Sequence, residues 1–409
     1  MGDSGTTAAS AAAFVCEGYE INPVVHHCVS VIAEACSSVS LEVHRFDAKG
    51  NKKEVFTHKV LDLLAEPNPT QSWADFMQEM VTWYKVTGEI FIQRLPENGP
   101  ASELWLLNPS YVTVKQGAAA VPTGYEYGTG DNKKVFPVNP VTGKSQILHI
   151  KTPNLSNPFR GLSPLAAAAR DIDILNAGGK WNSNLLKNSA RPSGILKIAG
   201  SAGEDTISKL RNYFKNAWQG AKSAGDVPLL TGGAEFVPMS LSPTDMDFQN
   251  SLTNSAKNVA MVLGVPLPLV TMEAATFSNM DAAKEQLWVD TVLPLLKKII
   301  HSLSVFLMKD NTERLCFNSD GIPALEARRE RLFKRMVAAV GSGLVSIDEA
   351  RVEMGFDEVG GNAADLLIPS GLKPLNSAAV DAVATLAKTY RGMGYSATEA
   401  QAKALADVG

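Results

Sequence analysis

The side chains able to do chemistry in this chain are few and poorly spaced for it. Asp171 and Asp173 stand two apart in a helical stretch, so they point to different sides and form neither a shared metal site nor an acid/base pair. They read as solvated or ion-paired carboxylates. His44 and His58 flank a hairpin and are able to pair across it, although satisfied surface histidines are the simpler expectation. Gly143-Lys144-Ser145 looks like the end of a phosphate loop, but the glycine required five residues before its Gly-Lys pair is Val138, and no helix follows. Cys16, Cys28, Cys36 and Cys316 lack C-x-x-C spacing; Cys28 and Cys36 lie eight apart in an apolar helical stretch and read as buried thiols. There is no H-E-x-x-H, no G-x-S-x-G and no G-x-G-x-x-G. No metal and no cofactor are expected. The one enzyme reading left is a hydrolase using Asp171, Asp173 or His149, which predicts a monomer or dimer with a closed pocket.

The elements that would position a site are more informative. From Asn258 to Lys298 the chain reads as a helix end, a Gly264 stop, a stiff elbow at Val265-Pro266-Leu267-Pro268, a polar loop and a long second helix. Gly264 suits a C-terminal cap, and Pro266 follows where a helix cannot continue. Ser278 is placed to cap the next helix, with Asp281 completing a capping box. That helix spans Asn279 to Lys309, roughly 46 Å at 1.5 Å per residue. Pro294 in its middle predicts a kink. The loop from Thr271 to Ser278 is thus held out from a rigid frame, and a loop so held is usually there to touch something.

The 409 residues suffice for two or three domain-sized units, and 45% hydrophobic with 20% charged residues describes a folded soluble protein. Lysine plus arginine total 38 against 42 acids, a net charge of −4, so no global basic field advertises tight nucleic-acid binding. Cysteine usage suits a reducing cytoplasm. The first residues match the permissive myristoylation pattern through Gly2 and Thr6, but read more simply as a flexible Ala/Ser/Gly arm. The longest apolar run, Val259 to Val270, is short and carries two prolines, so no spanning helix is predicted and no membrane partner is expected.

Before this frame, Asn22 caps a helix opening at Pro23, a hairpin follows from Val39, and Ser72 caps a helix with Trp73, Phe76, Met80, Trp83 and Tyr84 as a core stripe rather than a stacking platform. Six strands from Ile90 to Ile150 complete an α+β lobe. Ser163 and Pro164 start a helix to about Asn188, with Leu165, Ala168, Ala169, Ile172, Leu175 and Gly179 on its packed face. Residues 191 to 240 form an inserted unit. Thr244 and Asp247 open a return helix to Leu263, with a polar, mostly uncharged face through Gln249, Asn250, Thr253, Asn254, Ser255 and Asn258. After a strand at Arg314 to Asn318 comes a basic helix, Ala324 to Val340, read as a solvated face. Helical stretches follow at Ser346 to Met354 and Asn376 to Asp407.

The order of these parts resembles the phage portal family, in the branch shared with lambdoid long-tailed phages. The resemblance covers roughly residues 20 to 320. It rests on Asn22-Pro23, Leu64 to Pro69 as LLAEPNP, Gly88-Glu89-Ile90-Phe91, Gly161-Leu162-Ser163-Pro164-Leu165, Ala190 to Leu196 as ARPSGIL, the GVP elbow, Phe277-Ser278-Asn279 and Leu293-Pro294. It implies an α+β fold with a mixed wing (14–160), a stem helix (161–190), a small clip (191–240) and a stem return helix (241–263). An elbow and channel loop (264–280), a long kinked helix with a wing return strand (281–322) and a helical crown (323–375) follow. Residues 1–13, a flexible arm, and 376–409, a tail, match no part of the family pattern.

The resemblance further implies a ring of about twelve subunits at a capsid vertex, assembled in host cytoplasm, passing double-stranded DNA in packaging and ejection. Expected partners are the terminase large subunit, a head-completion adaptor and the major capsid or scaffold protein. The channel-loop set is Met272, Glu273, Thr276, Phe277, Ser278, Asn279, Met280 and Lys284, and the frame set is Gly264, Pro266, Pro268 and Pro294. Lys209, Arg211, Lys215 and Lys222 are the clip residues expected to meet partners. From Thr271 to Ser278 there is one acid, Glu273, and no base, which suits weak contact free of the counterion-release affinity that many lysines would create. A ring adaptor that binds proteins without passing DNA is the other non-enzymatic reading.

Overall fold

A computed structural model describes residues 10–46, 52–96, 100–117, 121–187, 194–198, 207–208, 212, 234–238, 248–271, 277–308, 312–356, 358–366 and 377–408. The chain divides into two compact units, Met1–Ile322 and Pro323–Gly409.

In the first unit a short α-turn, Ala11–Ala13, runs into a π-helical stretch, Phe14–Glu20, and then into α1, Pro23–Ser37. Asn22 starts α1 as its spacing predicts: its side-chain oxygen accepts from the Val24 and Val25 amides, and Pro23 occupies the first turn, where no amide hydrogen is required. After β1 (Leu41–Phe46), β2 (Lys52–Val55) and α2 (Lys59–Ala65) comes α3, Trp73–Thr87. Ser72 and Asp75 close a full capping box at the start of α3. Helices α1 and α3 pack face to face. Val25, Cys28, Val29 and Ile32 from one, with Phe76, Met77, Met80 and Val81 from the other, are all buried. Of the aromatic stripe, Phe76, Met80 and Tyr84 are core, while Trp73 and Trp83 are half-buried.

Strands β3 (Glu89–Leu95), β4 (Glu103–Leu107), β5 (Val112–Gln116), β6 (Pro122–Thr129), β7 (Asn132–Pro137) and β8 (Ile147–Lys151) build two three-stranded antiparallel sheets, ordered β4-β3-β8 and β5-β6-β7. They share a core through Phe91, Val112, Tyr125, Phe136 and Ile147. His44 and His58 do not pair with each other: His44 meets Glu42 at 3.2 Å and His58 meets Glu313 at 3.2 Å.

The helix expected from Pro164 to Asn188 is broken. A 3-10 turn, Pro164–Ala166, precedes α4, Ala169–Lys187. Ser163 caps that turn on the Leu165 amide at 3.1 Å. The packed face of this stretch is the expected one through Leu165, Ala168 and Ile172, which are buried, and Ala169 and Leu175, which are half-buried; it differs only at its end, where Gly178 is buried and Gly179 exposed. Helix α4 packs against α5, Phe248–Leu263. Asn258, near the end of α5, donates to Asp171, near the start of α4, at 3.0 Å, so the two run antiparallel. Between them β9 (Gly194–Ile198) and β10 (Ala234–Pro238) form an antiparallel pair. Ser255, assigned to the polar outer face of α5, is buried instead. The proposed Thr244–Asp247 cap lies outside the described residues.

The rod that starts at residue 277 is also segmented. It comprises α6 (Phe277–Gln286), a π turn (Leu287–Val292) and α7 (Leu293–Leu307). Pro294 lies in the first turn of α7 rather than inside one continuous α-helix, immediately after a stretch where the Leu293 amide bonds back to the Trp288 carbonyl. The proline thus falls where the hydrogen-bond ladder is already shifted, which lessens the cost of its missing donor. Strand β11, Glu313–Phe317, returns to pair with β1 in the order β11-β1-β2.

In the second unit, α8 (Glu326–Gly341) follows a 3-10 turn, and Ser346 and Glu349 form a capping box for α9, Ile347–Glu353. The stretch expected as one helix from Asn376 to Asp407 is a hairpin of α10, Ser377–Gly392, and α11, Ala397–Val408, reversing at Gly394 with φ +97. Among the described residues, no helix is long and apolar enough to cross a membrane.

Candidate functional site

The site begins where α5 ends. Gly264 takes φ +78; its amide bonds to the Met261 carbonyl at 3.1 Å and the Val265 amide to the Ala260 carbonyl at 2.9 Å. This double bond is the Schellman termination, and it uses up carbonyls that the helix end leaves open. Val265 is buried; Pro266 then caps a 3-10 turn, Leu267–Leu269, in which Pro268 supplies a fixed φ. The turn closes on itself, with the Thr271 amide and hydroxyl both reaching the Leu267 carbonyl.

Three other elements hold this elbow by its carbonyls. Lys85 of α3 donates to Leu263 O at 3.0 Å, Thr291 of the π turn to Gly264 O at 2.5 Å, and His27 of α1 lies 3.0 Å from Leu269 O through Nε2. Burial pushes the Lys85 pKa below its ordinary 10.5, so holding an ammonium there carries a desolvation cost that the carbonyl contact partly offsets. Its neighbour Tyr84 accepts from Lys298 of α7 at 2.7 Å. Consecutive residues of α3 thus tie the end of α5 to the body of the rod. None of these donors was foreseen in the sequence, because each lies far along the chain from the carbonyl it serves.

Met272, Glu273 and Thr276 lie outside the described residues. Phe277 and Ser278 open α6, so Ser278 stands in the first turn and not before it. Asn279 and Lys284 are exposed and Met280 half-buried, with Ala283 the inward contact between them. The four clip residues, Lys209, Arg211, Lys215 and Lys222, also lie outside the described residues.

Asp171 and His149, two groups of the hydrolase reading, each hold a structural partner. Asp171 is held by Asn258. His149 is enclosed: it stacks on Phe91 with centroids 4.2 Å apart, meets Tyr125 edge-on and contacts Glu89 at 3.2 Å. Glu89 also accepts from Arg160 Nε at 2.8 Å, from Arg160 Nη2 and from the Gly161 amide at 2.9 Å. Burial raises the Glu89 pKa, but the hydrogen bonds from His149 and Arg160 outweigh it and hold the carboxyl below its usual range. Burial lowers the His149 pKa more than Glu89 raises it, which leaves a neutral ring donating through Nε2. A carboxylate with every oxygen engaged is a structural anchor. Among the described residues, no group of three or more His, Cys, Asp or Glu is placed to hold a metal ion.

This joint also unites two stretches that the sequence presented separately. Gly88, at φ +80, closes α3, and a side chain on it would sit 2.3 Å from the Leu162 carbonyl oxygen. Gly161 is equally pressed, its missing Cβ 2.2 Å from Gly88 O. Ser163 donates to Val86 O at 2.6 Å. The Gly88-Glu89 and Gly161-Leu162-Ser163 segments are two halves of one contact, which seats the base of α4 against the α+β lobe.

Comparison with known proteins agrees with this architecture. A protein of Rickettsia bellii carrying no functional description is 32% identical over 350 residues, covering 84% of this chain and 89% of the relative. A probable portal protein of Streptomyces phage phiC31 is 24% identical over 340 residues, covering 79% and 72%. Chains from the neck of a gene transfer agent (GTA) particle superpose with TM-scores of 0.66 in the empty particle, computed with C6 symmetry, and 0.63 in the native one, computed with C12 symmetry. Those two are 32% and 31% identical and cover 85% of this chain and 94% of their own. The family described as phage portal protein matches from residue 23 to residue 355, through both motif pairs, the elbow and the rod, and to that family this chain belongs.

Proposed function

We propose that the protein is a portal subunit, about twelve copies of which form a ring at one capsid vertex, with a central channel for double-stranded DNA during packaging and ejection. The observation that carries this reading is the clamped elbow. Three donors from three separate elements fix the carbonyls of Leu263, Gly264 and Leu269, so the loop that follows leaves a rigid base. The sixfold and twelvefold necks built from related chains supply the expectation of a ring.

In this reading residues 14–160 form the wing, 161–190 and 241–263 the antiparallel stem, and 191–240 the clip, whose Lys209, Arg211, Lys215 and Lys222 face the terminase large subunit and later a head-completion adaptor. Residues 323–375 form the crown. The wing meets the major capsid or scaffold protein. The 264–280 segment, with Met272, Glu273, Thr276, Phe277, Ser278, Asn279 and Met280 ahead of Lys284, guides the duplex without reading its sequence. The protein is placed in the virion after assembly in host cytoplasm, and no catalytic step is assigned to it. A mass measurement combined with end-on electron microscopy of the purified protein tests the proposal. A closed ring with an open axial hole is the expected result; a monomer or dimer, or a ring sealed at its axis, overturns it.

A further inference from the structure

The unit Pro323–Gly409 is short of core. Among its described residues the buried apolar side chains are Leu325, Ala350, Ala400 and Ala404, while Phe333, Val337 and Leu344 are 53%, 56% and 76% exposed. Helix α8 contains no buried residue at all. Most helical stability in proteins comes from packing an apolar face, and within the subunit α8 packs only in part, its Leu332, Met336 and Val340 being half-buried. Such a face exists on α8: Leu332, Phe333, Met336, Val337 and Val340 recur at helical spacing.

The same unit carries a second patch of opposite character. Helix α8 has five bases against two acids, whereas residues 347–366 have six acids against one base. In that second segment Glu353, Glu358 and Asp365 are exposed beside Val352, Phe356 and Val359, which are 53%, 53% and 68% exposed. A cyclic ring of more than two copies requires two different, complementary patches on each subunit, since every contact is head-to-tail. An apolar stripe edged with arginine and an apolar patch edged with glutamate meet that requirement, and both belong to one chain.

We infer that α8 of one copy packs its apolar stripe onto the 347–366 segment of a second copy of this chain, with Arg328, Arg331 and Arg335 facing Glu353 and Glu358. The crown thereby gains between subunits the core it lacks within one, and it becomes ordered on assembly. This rests on the ring reading above, but adds which surfaces meet and that folding of the second unit is coupled to their meeting.

Hydrogen exchange of the full chain, followed by mass spectrometry, tests it in dissociated subunits and in assembled rings. Residues 326–341 are expected to exchange at least about tenfold more slowly in the ring, while α1 and α3 exchange alike in both. The double charge reversal Arg331→Glu/Arg335→Glu should abolish that protection, and adding Glu353→Arg/Glu358→Arg should restore it. Equal protection in subunit and ring overturns the inference, as does a reversal without effect or a loss that the compensating pair fails to rescue. Failure of the wild-type chain to form any ring is a separate outcome, read by mass, and it removes the ring reading and this inference together.

Discussion

Thr291 donates its hydroxyl hydrogen to the carbonyl oxygen of Gly264 at 2.5 Å, joining the turn that ends α5 to the π turn of the rod. The contact requires both partners. A Cβ on Gly264 would lie 2.6 Å from the same Thr291 oxygen, so glycine is demanded here by its neighbour as well as by its φ of +78. The π turn matters because it sets which rod residue faces the elbow; an uninterrupted α-helix would present its side chains in a different phase beyond Leu287.

Gly264→Ala is expected to destabilise the first unit by about 2–3 kcal/mol, combining the left-handed penalty with the clash. Thr291→Val keeps the shape and loses the donor, at a cost of about 1–2 kcal/mol for a half-buried carbonyl left unpaired. In Gly264→Ala/Thr291→Ala the clash is relieved, so the double change should cost less than the sum of its parts. Urea unfolding of the double variant beside Gly264→Ala and Thr291→Ala alone checks this; strictly additive losses would show that the two residues do not meet.

The Glu89–His149–Arg160 joint predicts a pH dependence. Folding lowers the pKa of His149, so its contribution is complete above its ordinary 6.5 and declines as pH falls below that value. The Glu89 pKa is also lowered, so its contribution is complete above its ordinary 4.5 and is lost as pH falls through the lower folded value. Thermal unfolding should therefore weaken on acidification in two stages. His149→Gln, which keeps an N–H donor for Glu89, should remove the upper stage alone. Glu89→Gln should cost about 3 kcal/mol at neutral pH, the low end for a broken buried pair because Arg160 keeps 29% exposure.

Cysteine reactivity follows burial. Desolvation pushes the thiols of Cys28 and Cys36 up to about 12, while Cys16 is exposed. Alkylation of the native subunit at pH 8 should label Cys16 and spare Cys28 and Cys36, which become reactive only in denaturant. Peptide mapping reads the outcome, and rapid native labelling of Cys28 or Cys36 would contradict the packing of α1 on α3.

What the sequence made legible was local. Asn22-Pro23, Ser72 at its helix start, and Gly264 before Pro266 act through neighbours within a few positions, and each does in the structure what its spacing implies. The π turn before Pro294 was not legible, because its extra residue is fixed by contact with the elbow and not by its own composition. The burial of Gly178 in place of Gly179 and the burial of Ser255 follow from how α4 and α5 meet, where small and polar side chains leave the helical phase ambiguous. The anchor at Glu89 joins residues 60 and 71 positions apart and leaves no periodic trace. The reversal at Gly394 did carry a local signal, Gly392-Met393-Gly394.

The segment proposed to line the channel gives the prediction closest to function. With one acid and no base from Thr271 to Ser278, the segment would offer a duplex nothing to neutralise its phosphates, so the contact proposed above would rest on Phe277, Asn279 and the methionines beside them. Phe277→Ala and Asn279→Ala should shorten the packaged DNA or alter its ejection while leaving ring mass unchanged, since Asn279 is exposed and supports no core. Glu273→Lys should act in the opposite sense, slowing passage by adding about one phosphate contact per subunit, with a steeper salt dependence of ejection as its signature. Full-length packaging, normal ejection and an unchanged salt slope in all three variants would mean that DNA passes without touching this loop, and the assignment of 264–280 to the channel would fall while the ring itself stood.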